Sequence, residues 1–318
     1  FGAQYESEKI KGISHFIEHL VFKGTQKRTV MQIPQEIESK GGIINAFTGE
    51  DITAYWNKLP SKYFELGADI SRDLVLNPIF EKEALERERK VILEEIKMYH
   101  DNPSTHVLEK IKEMLYEKPF NLSIAGTAET VEKLSREKII NLFNSFYSTN
   151  NMVFSAVGGC EWEQVLNEAQ KFPRIKKEIK QIPIILKNGE IIEKRKGIDQ
   201  AHLVFGFHIP KLVDKNRYSA EIFDSILGGG MSSRLFQEVR EKRGLCYAIK
   251  SGMEQSKDYA YEIIYSGTVK EKVKEIRKII LKEIIKLGKI EKTDLNEEKE
   301  KLIGSNQINK EKCDSTMI

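Results

Sequence analysis

The sequence predicts an α+β chain built from two repeated αβ domains, and three observations predict it. Segments of helical periodicity alternate with short β-branched and aromatic runs through the first half. The run Lys40-Gly41-Gly42-Ile43-Ile44-Asn45-Ala46-Phe47 reappears, altered, as Lys242-Arg243-Gly244-Leu245-Cys246-Tyr247-Ala248-Ile249, an offset of 202 residues. A length of 318 residues, 40% hydrophobic and 31% charged, is enough for two cores. The domains are placed at 1–180 and 181–318.

Taken in order, the periodicity predicts a helix from Ile13 to Phe22 that stops near Lys23-Gly24-Thr25. A second, Val30 to Ser39, ends at Gly41-Gly42, as helices commonly end on glycine. Two strands follow, Ile43 to Thr48 and Ile52 to Trp56, joined by a turn at Gly49-Glu50-Asp51. A helix from Ser61 to Asn77 and a long one from Glu81 to His100 come next, broken at Asp101-Asn102-Pro103. Helices at Pro103–Leu115 and Ser135–Tyr147, a strand at Met152–Val157 and a helix at Glu161–Phe172 complete the first domain. Lys176 to Lys196 reads as a linker with an entering strand, and a second unit begins at Gln200. The chain ends at Asp314-Ser315-Thr316-Met317-Ile318, read as helical.

Bulk properties exclude several classes. A formal charge of +3, spread evenly, argues against nucleic-acid binding. No run of 18 apolar residues exists, so no membrane span is expected. Cys160, Cys246 and Cys313 are widely spaced and form no C-x-x-C pair, which predicts neither a disulfide framework nor a cysteine zinc site. Reduced thiols point to a cytoplasmic setting. The start at Phe1 reads as a missing native N-terminus, which leaves a targeting segment open.

The chemistry is concentrated in His15-Phe16-Ile17-Glu18-His19. Residues three and four apart share a helix face, so His15, Glu18 and His19 lie together. Two histidines at i and i+4 can grip one zinc ion, with the carboxylate beside the open position where it can act as a general base. The bland alternative is an amphipathic helix with Phe16, Leu20 and Val21 packed beneath. With six histidines in 318 residues, chance supplies H-x-x-E-H about once in a hundred such chains. A third ligand is needed to decide. The long helix carries Glu86-Arg87-Glu88-Arg89-Lys90-Val91-Ile92-Leu93-Glu94-Glu95-Ile96, in which Glu88 and Glu95 return to one face after two turns. At the 202-residue offset His15 falls on Arg217 and His19 on Glu221, so the second copy lacks the histidines.

These motifs together resemble the M16 metallopeptidases, the family of pitrilysin, insulin-degrading enzyme and the mitochondrial processing peptidase β subunit. The shorter bacterial processing-peptidase-like members are most similar. Gly12 to Thr25 looks like the family signature, and Glu95, 76 residues beyond His19, matches the third zinc ligand. Glu88 matches the acid that steadies the ligands from behind the metal. Asn45-Ala46-Phe47-Thr48 is similar to the N-A-x-T edge strand on which the family binds substrate as an added β-strand. Asn45, Ala46 and Phe47 are the substrate-binding candidates. Trp56 stands where the family usually has Tyr. Arg240 and Tyr247 resemble the Arg and Tyr of the inactive second domain, with Tyr247 donating to the developing oxyanion and Arg240 to a neighbouring carbonyl. Gly228-Gly229-Gly230-Met231-Ser232-Ser233-Arg234 is a further family signature. It lacks the P-loop Lys-Ser/Thr, so phosphate binding is not expected.

The resemblance implies two domains, each a mostly antiparallel sheet covered by helices, with both termini truncated and the second domain incomplete. It implies a zinc-dependent endopeptidase acting on unfolded peptides or presequence-like segments. It also implies a homodimer, or pairing with a second M16 half, that encloses a chamber. The alternative is a catalytically silent partner or peptide-binding subunit of the same family.

Overall fold

Helix α1 (Ile13–Val21) forms where apolar residues recur at helical spacing. Ile13, Phe16, Ile17, Leu20 and Val21 are fully buried, which leaves His15, Glu18 and His19 on the opposite face. Its start is fixed by Gly12, at φ +97°, and by the Glu6 carboxylate, which accepts from Gly12 N at 2.9 Å and Ser14 N at 2.7 Å. These donors have no partner inside the helix, so the carboxylate satisfies them from outside. Burial pushes the Glu6 carboxyl up to about 7, against the opposing pull of Lys11.

The computed structural model describes residues 1–313 and 316. After α1 come α2 (Gln32–Glu38), β1 (Ile43–Thr48), β2 (Thr53–Lys58), α3 (Phe64–Leu76), α4 (Lys82–Asp101) and α5 (Pro103–Leu115). Then follow α6 (Ala128–Lys133), α7 (Arg136–Phe146), α8 (Trp162–Gln170), β3 (Ala201–His208) and α9 (Arg217–Gly228). Strands β4 (Cys246–Gln255) and β5 (Ala260–Thr268), then α10 (Val273–Lys286) and α11 (Lys292–Lys310), complete the order. A wide π-type helix, Phe236–Glu241, precedes β4. No helix is long and apolar enough to cross a membrane among the described residues. The helical reading of 314–318 lies outside the described residues, except at Thr316.

The chain divides into two units. The first holds Phe1–Met98, Lys118–Pro183 and the stretch from Lys310; the second holds Tyr99–Glu117 and Ile184–Asn309. In the first unit β1 and β2 form an antiparallel hairpin, from Ile43↔Lys58 to Thr48↔Thr53, closed by Gly49 N on Ile52 O at 2.8 Å. The core beside it joins the buried face of α1 to Phe80, Leu85 and Ile92 and to Val131, Leu134, Ile139 and Phe143. A smaller cluster, Ile33, Ile37, Ile70 and Leu74, holds α2 to α3.

The second unit repeats the order helix, short helix, hairpin, helix, with strand order β3-β5-β4, antiparallel throughout. The fold is thus the α+β class expected, with small antiparallel sheets. Leu203, Phe205 and Phe207 of β3 pack into a core with Ile226, Leu227, Ile276 and Ile280. Gly206 faces the other way, where an added Cβ would come within 2.6 Å of Ile111 and 2.9 Å of Leu115 on α5. The missing side chain is what lets α5 lie close on β3. A single cut at 180/181 follows chain order, whereas α5 belongs with the second unit because its apolar side finds its partner on β3.

Two local expectations are corrected. Met152–Val157 alternates in exposure with period two but forms no strand, because no neighbouring strand among the described residues supplies its ladder. The entering strand within 176–196 is likewise absent; only an isolated bridge, Tyr116↔Leu186, is made there.

Glu262 on β5 is fully buried. Burial first, then the adjacent Asp224 carboxylate, pushes its carboxyl from 4.5 up to about 9. The folded chain therefore keeps a proton that the unfolded chain gives up, so this contribution to stability is complete below pH 4.5 and is lost as pH rises through about 9. Glu262→Gln keeps the shape and cannot ionise. Denaturant unfolding at several pH values should show a flatter decline between pH 4.5 and about 9 in the variant, and identical profiles for the two chains would refute the assignment.

Candidate metal and active site

The site is built on one face of α1 and one face of α4, all within the first unit. On α4, Ala84, Leu85, Glu88 and Ile92 are buried, so the helix turns Glu88 inward, with Glu95 two turns further along the same side. Arg89 anchors α4 by donating to the carbonyl oxygens of Val131 and Leu134, while its guanidinium lies 5.3 Å from the centre of the Phe16 ring on α1.

The three ligand candidates converge. Glu95 Oε2 lies 3.8 Å from His15 Nε2 and 3.6 Å from His19 Nε2. The two imidazoles sit edge to face with centroids 4.7 Å apart. Ligand atoms of all three residues fall within 4.8 Å of one another, the one such cluster of His, Cys, Asp and Glu among the described residues. Glu95 Oε2 is buried and has no hydrogen-bond partner among the described residues. A buried anionic oxygen left unpaired is costly, and a divalent cation held with two imidazole nitrogens would satisfy it. Two histidines and one carboxylate are a donor set that suits zinc in a catalytic site. The residues fit the metal.

Burial, helped by the neighbouring His19, lowers His15 to about 4, so this imidazole is neutral and its lone pair is free to ligate at neutral pH. Glu18 is raised above the usual carboxylate range, chiefly by burial. The Thr48 hydroxyl donates to Glu18 Oε2 at 2.5 Å and opposes that rise. The Tyr55 and Tyr147 hydroxyls pair at 2.6 Å, and burial raises both phenols. Behind the ligands, His19 Nδ1 meets Glu88 Oε2 at 3.1 Å, and Lys23 Nζ meets Glu88 Oε1 at 2.8 Å. His15 Nδ1, by contrast, is buried with no partner among the described residues.

Asn45, Ala46 and Phe47 lie on β1. Asn45 is exposed, and its side-chain oxygen accepts from Ala46 N at 2.8 Å. Strand β1 has β2 on one edge and no strand on the other among the described residues. In the second unit, the Arg240 guanidinium lies 4.7 Å from the Phe236 ring centre. Tyr247 is half exposed at the β4 bulge, its hydroxyl 3.2 Å from that of Tyr265, which is 2.8 Å from His202 Nδ1. The structure thus gathers His15, Glu18, His19, Glu88 and Glu95, and adds Lys23, Thr48 and Arg89, which sequence reasoning left unassigned. The signal for Thr48 was present in Asn45-Ala46-Phe47-Thr48. Nothing local marked Lys23, whose partner is 65 positions away.

Comparison with known proteins bears on the fold and the family. The solved structure described as a protease from Helicobacter pylori superposes with a TM-score of 0.92 at 20% identity, covering 99% of this chain and 80% of that one. The Pseudomonas fluorescens structure described as a peptidase M16 inactive domain gives a TM-score of 0.85 at 21% identity, covering 96% and 77%. Both speak for the fold. A Rickettsia felis protein described as an uncharacterized zinc protease is 33% identical over 90% of this chain and 70% of its own length. The Bacillus subtilis protein described as uncharacterized zinc protease YmxG is 29% identical over 99% and 78%. Residues 1–128 match the profile described as "Insulinase (Peptidase family M16)", and residues 133–302 match "Peptidase M16 inactive domain". With its length matched by both profiles and zinc-protease relatives on either side of 30% identity, the chain belongs to peptidase family M16.

Proposed function

We propose that the chain is a zinc-dependent endopeptidase that hydrolyses peptide bonds in unfolded peptides or presequence-like segments. The observation that carries this reading is the convergence of His15, His19 and Glu95, with an unpartnered Glu95 oxygen between the two imidazoles and Glu18 on the same face. Zinc, when bound, polarises a carbonyl and makes a water acidic enough to be deprotonated near neutral pH.

The chain's own residues do the rest. Glu18 takes a proton from the attacking water and passes it to the departing amine, and its raised proton affinity suits both halves of that exchange. Thr48 holds one Glu18 oxygen and leaves the other for the water. Glu88 fixes the His19 ring through Nδ1, so that Nε2 is the nitrogen offered as ligand. The free edge of β1 offers main-chain bonding to an extended peptide, with Asn45, Ala46 and Phe47 beside it. The roles of Arg240 and Tyr247 toward substrate carbonyls rest on the resemblance alone. So does a homodimer, or pairing with a second M16 half.

The test is cleavage of an unfolded peptide by the zinc-loaded protein, with and without a chelator. Chelator-sensitive cutting that returns on adding zinc supports the proposal. Peptide binding without cutting, at full zinc content, would favour the silent peptide-binding subunit instead.

A further inference from the structure

Glu88 is held from two sides. Its Oε2 faces His19 Nδ1 at 3.1 Å and its Oε1 faces Lys23 Nζ at 2.8 Å, so each carboxylate oxygen has its own cationic or N–H partner. Lys23 stands one helical turn beyond His19, just past the end of α1, and this spacing places its ammonium on the same side as the histidine. The Glu88 side chain is only 11% exposed and that of Lys23 is 30% exposed. A carboxylate so enclosed has few ways to turn, and a second partner removes the remaining one.

The two ligand histidines are therefore supported differently. His15 Nδ1 is buried without a partner among the described residues, so no hydrogen bond at that nitrogen orients the ring. His19 is oriented by a relay that ends in a lysine. A carboxylate that could rotate freely would meet Nδ1 only part of the time, and Nε2 would then be offered to a metal only part of the time.

We propose that Lys23 is a positioning residue for the metal: it pins the Glu88 carboxylate in the orientation that accepts the His19 Nδ1–H, and so sets zinc affinity through His19. This rests on reading His15, His19 and Glu95 as the zinc ligands. A Lys–Glu pair of purely structural role, with its carboxylate buried, would show its loss in stability and would leave metal affinity unchanged. Partners behind a metal ligand instead change affinity by about 10–100-fold.

The experiment is a zinc titration of the whole chain in competition with a zinc-binding dye, alongside thermal unfolding of the metal-free protein. Lys23→Met is expected to weaken zinc binding about 10-fold, whereas a purely structural role would lower the metal-free unfolding midpoint and leave zinc affinity as it is. Lys23→Arg, which keeps a donor, is expected to recover most of the affinity. Glu88→Gln should weaken binding at least as much as Lys23→Met, and the double variant no more than Glu88→Gln alone, since both act along one path. Wild-type affinity in Lys23→Met overturns the proposal, as does a double variant that loses the product of the single effects. Should Lys23→Met unfold, Lys23→Gln carries the same test. A wild-type chain that takes up no zinc overturns the metal-site reading itself, a result distinguishable from failure of the Lys23 role.

Discussion

Glu18→Gln should abolish peptide hydrolysis, lowering kcat/KM by about 10²–10⁴-fold, the range that a positioned general base contributes. Zinc content should stay at the wild-type level. The amide keeps the shape of the carboxylate and can still accept the Thr48 hydroxyl, but it cannot take a proton from water. Because Glu18 lies on the face of α1 opposite the buried Ile13, Phe16, Ile17, Leu20 and Val21, the exchange leaves the core intact. Steady-state cleavage of a fluorogenic peptide and elemental analysis of the same preparation provide the check. Retained turnover would remove Glu18 from the mechanism, whereas lost zinc would place it among the ligands.

Glu95→Gln carries the second large effect, on the metal itself. Among the described residues Glu95 supplies the one anionic oxygen between the two imidazoles, at 3.8 and 3.6 Å from their Nε2 atoms. An amide oxygen in its place offers no charge to offset desolvation of a divalent cation. Zinc affinity should fall by more than the roughly 10–100-fold expected for partners behind the ligands, and cleavage should fall with it. Competition titration gives the affinity, and a variant that holds zinc as tightly as the wild type would strike Glu95 from the ligand set. Set beside Glu18→Gln, the pair separates chemistry from metal retention: one variant keeps zinc and loses turnover, the other loses both.

Much of the site was legible because its information is local. The helical spacing of Ile13, Phe16, Ile17, Leu20 and Val21 sets α1 and, by exclusion, the face bearing His15, Glu18 and His19. The turn after Thr48 marks the β1–β2 hairpin, which pairs Thr48 with Thr53. Glu88 and Glu95 were singled out from many acids on α4 by their seven-residue separation and by resemblance. What escaped was non-local. Thr48 meets Glu18 across 30 positions, and Arg89 ties α4 to carbonyls 42 and 45 positions on. Helix α6 was missed although Thr127 and Thr130 form its reciprocal cap, because six residues carry too little periodicity to register. Met152–Val157 shows the opposite failure: the alternation was read correctly, but a strand exists only where a second backbone completes its ladder.

The placement of α5 bears on how the protein can be handled and made. The chain passes between units after Met98, Glu117, Pro183 and Asn309, so neither unit is a continuous stretch that a protease or a cloning boundary could release whole. A piece beginning at Ile184 would leave behind the helix that covers Gly206, uncovering an apolar sheet face prone to self-association. On the ribosome α5 emerges long before its sheet is synthesised, and it must wait, unpaired, for some 90 residues until β3 arrives.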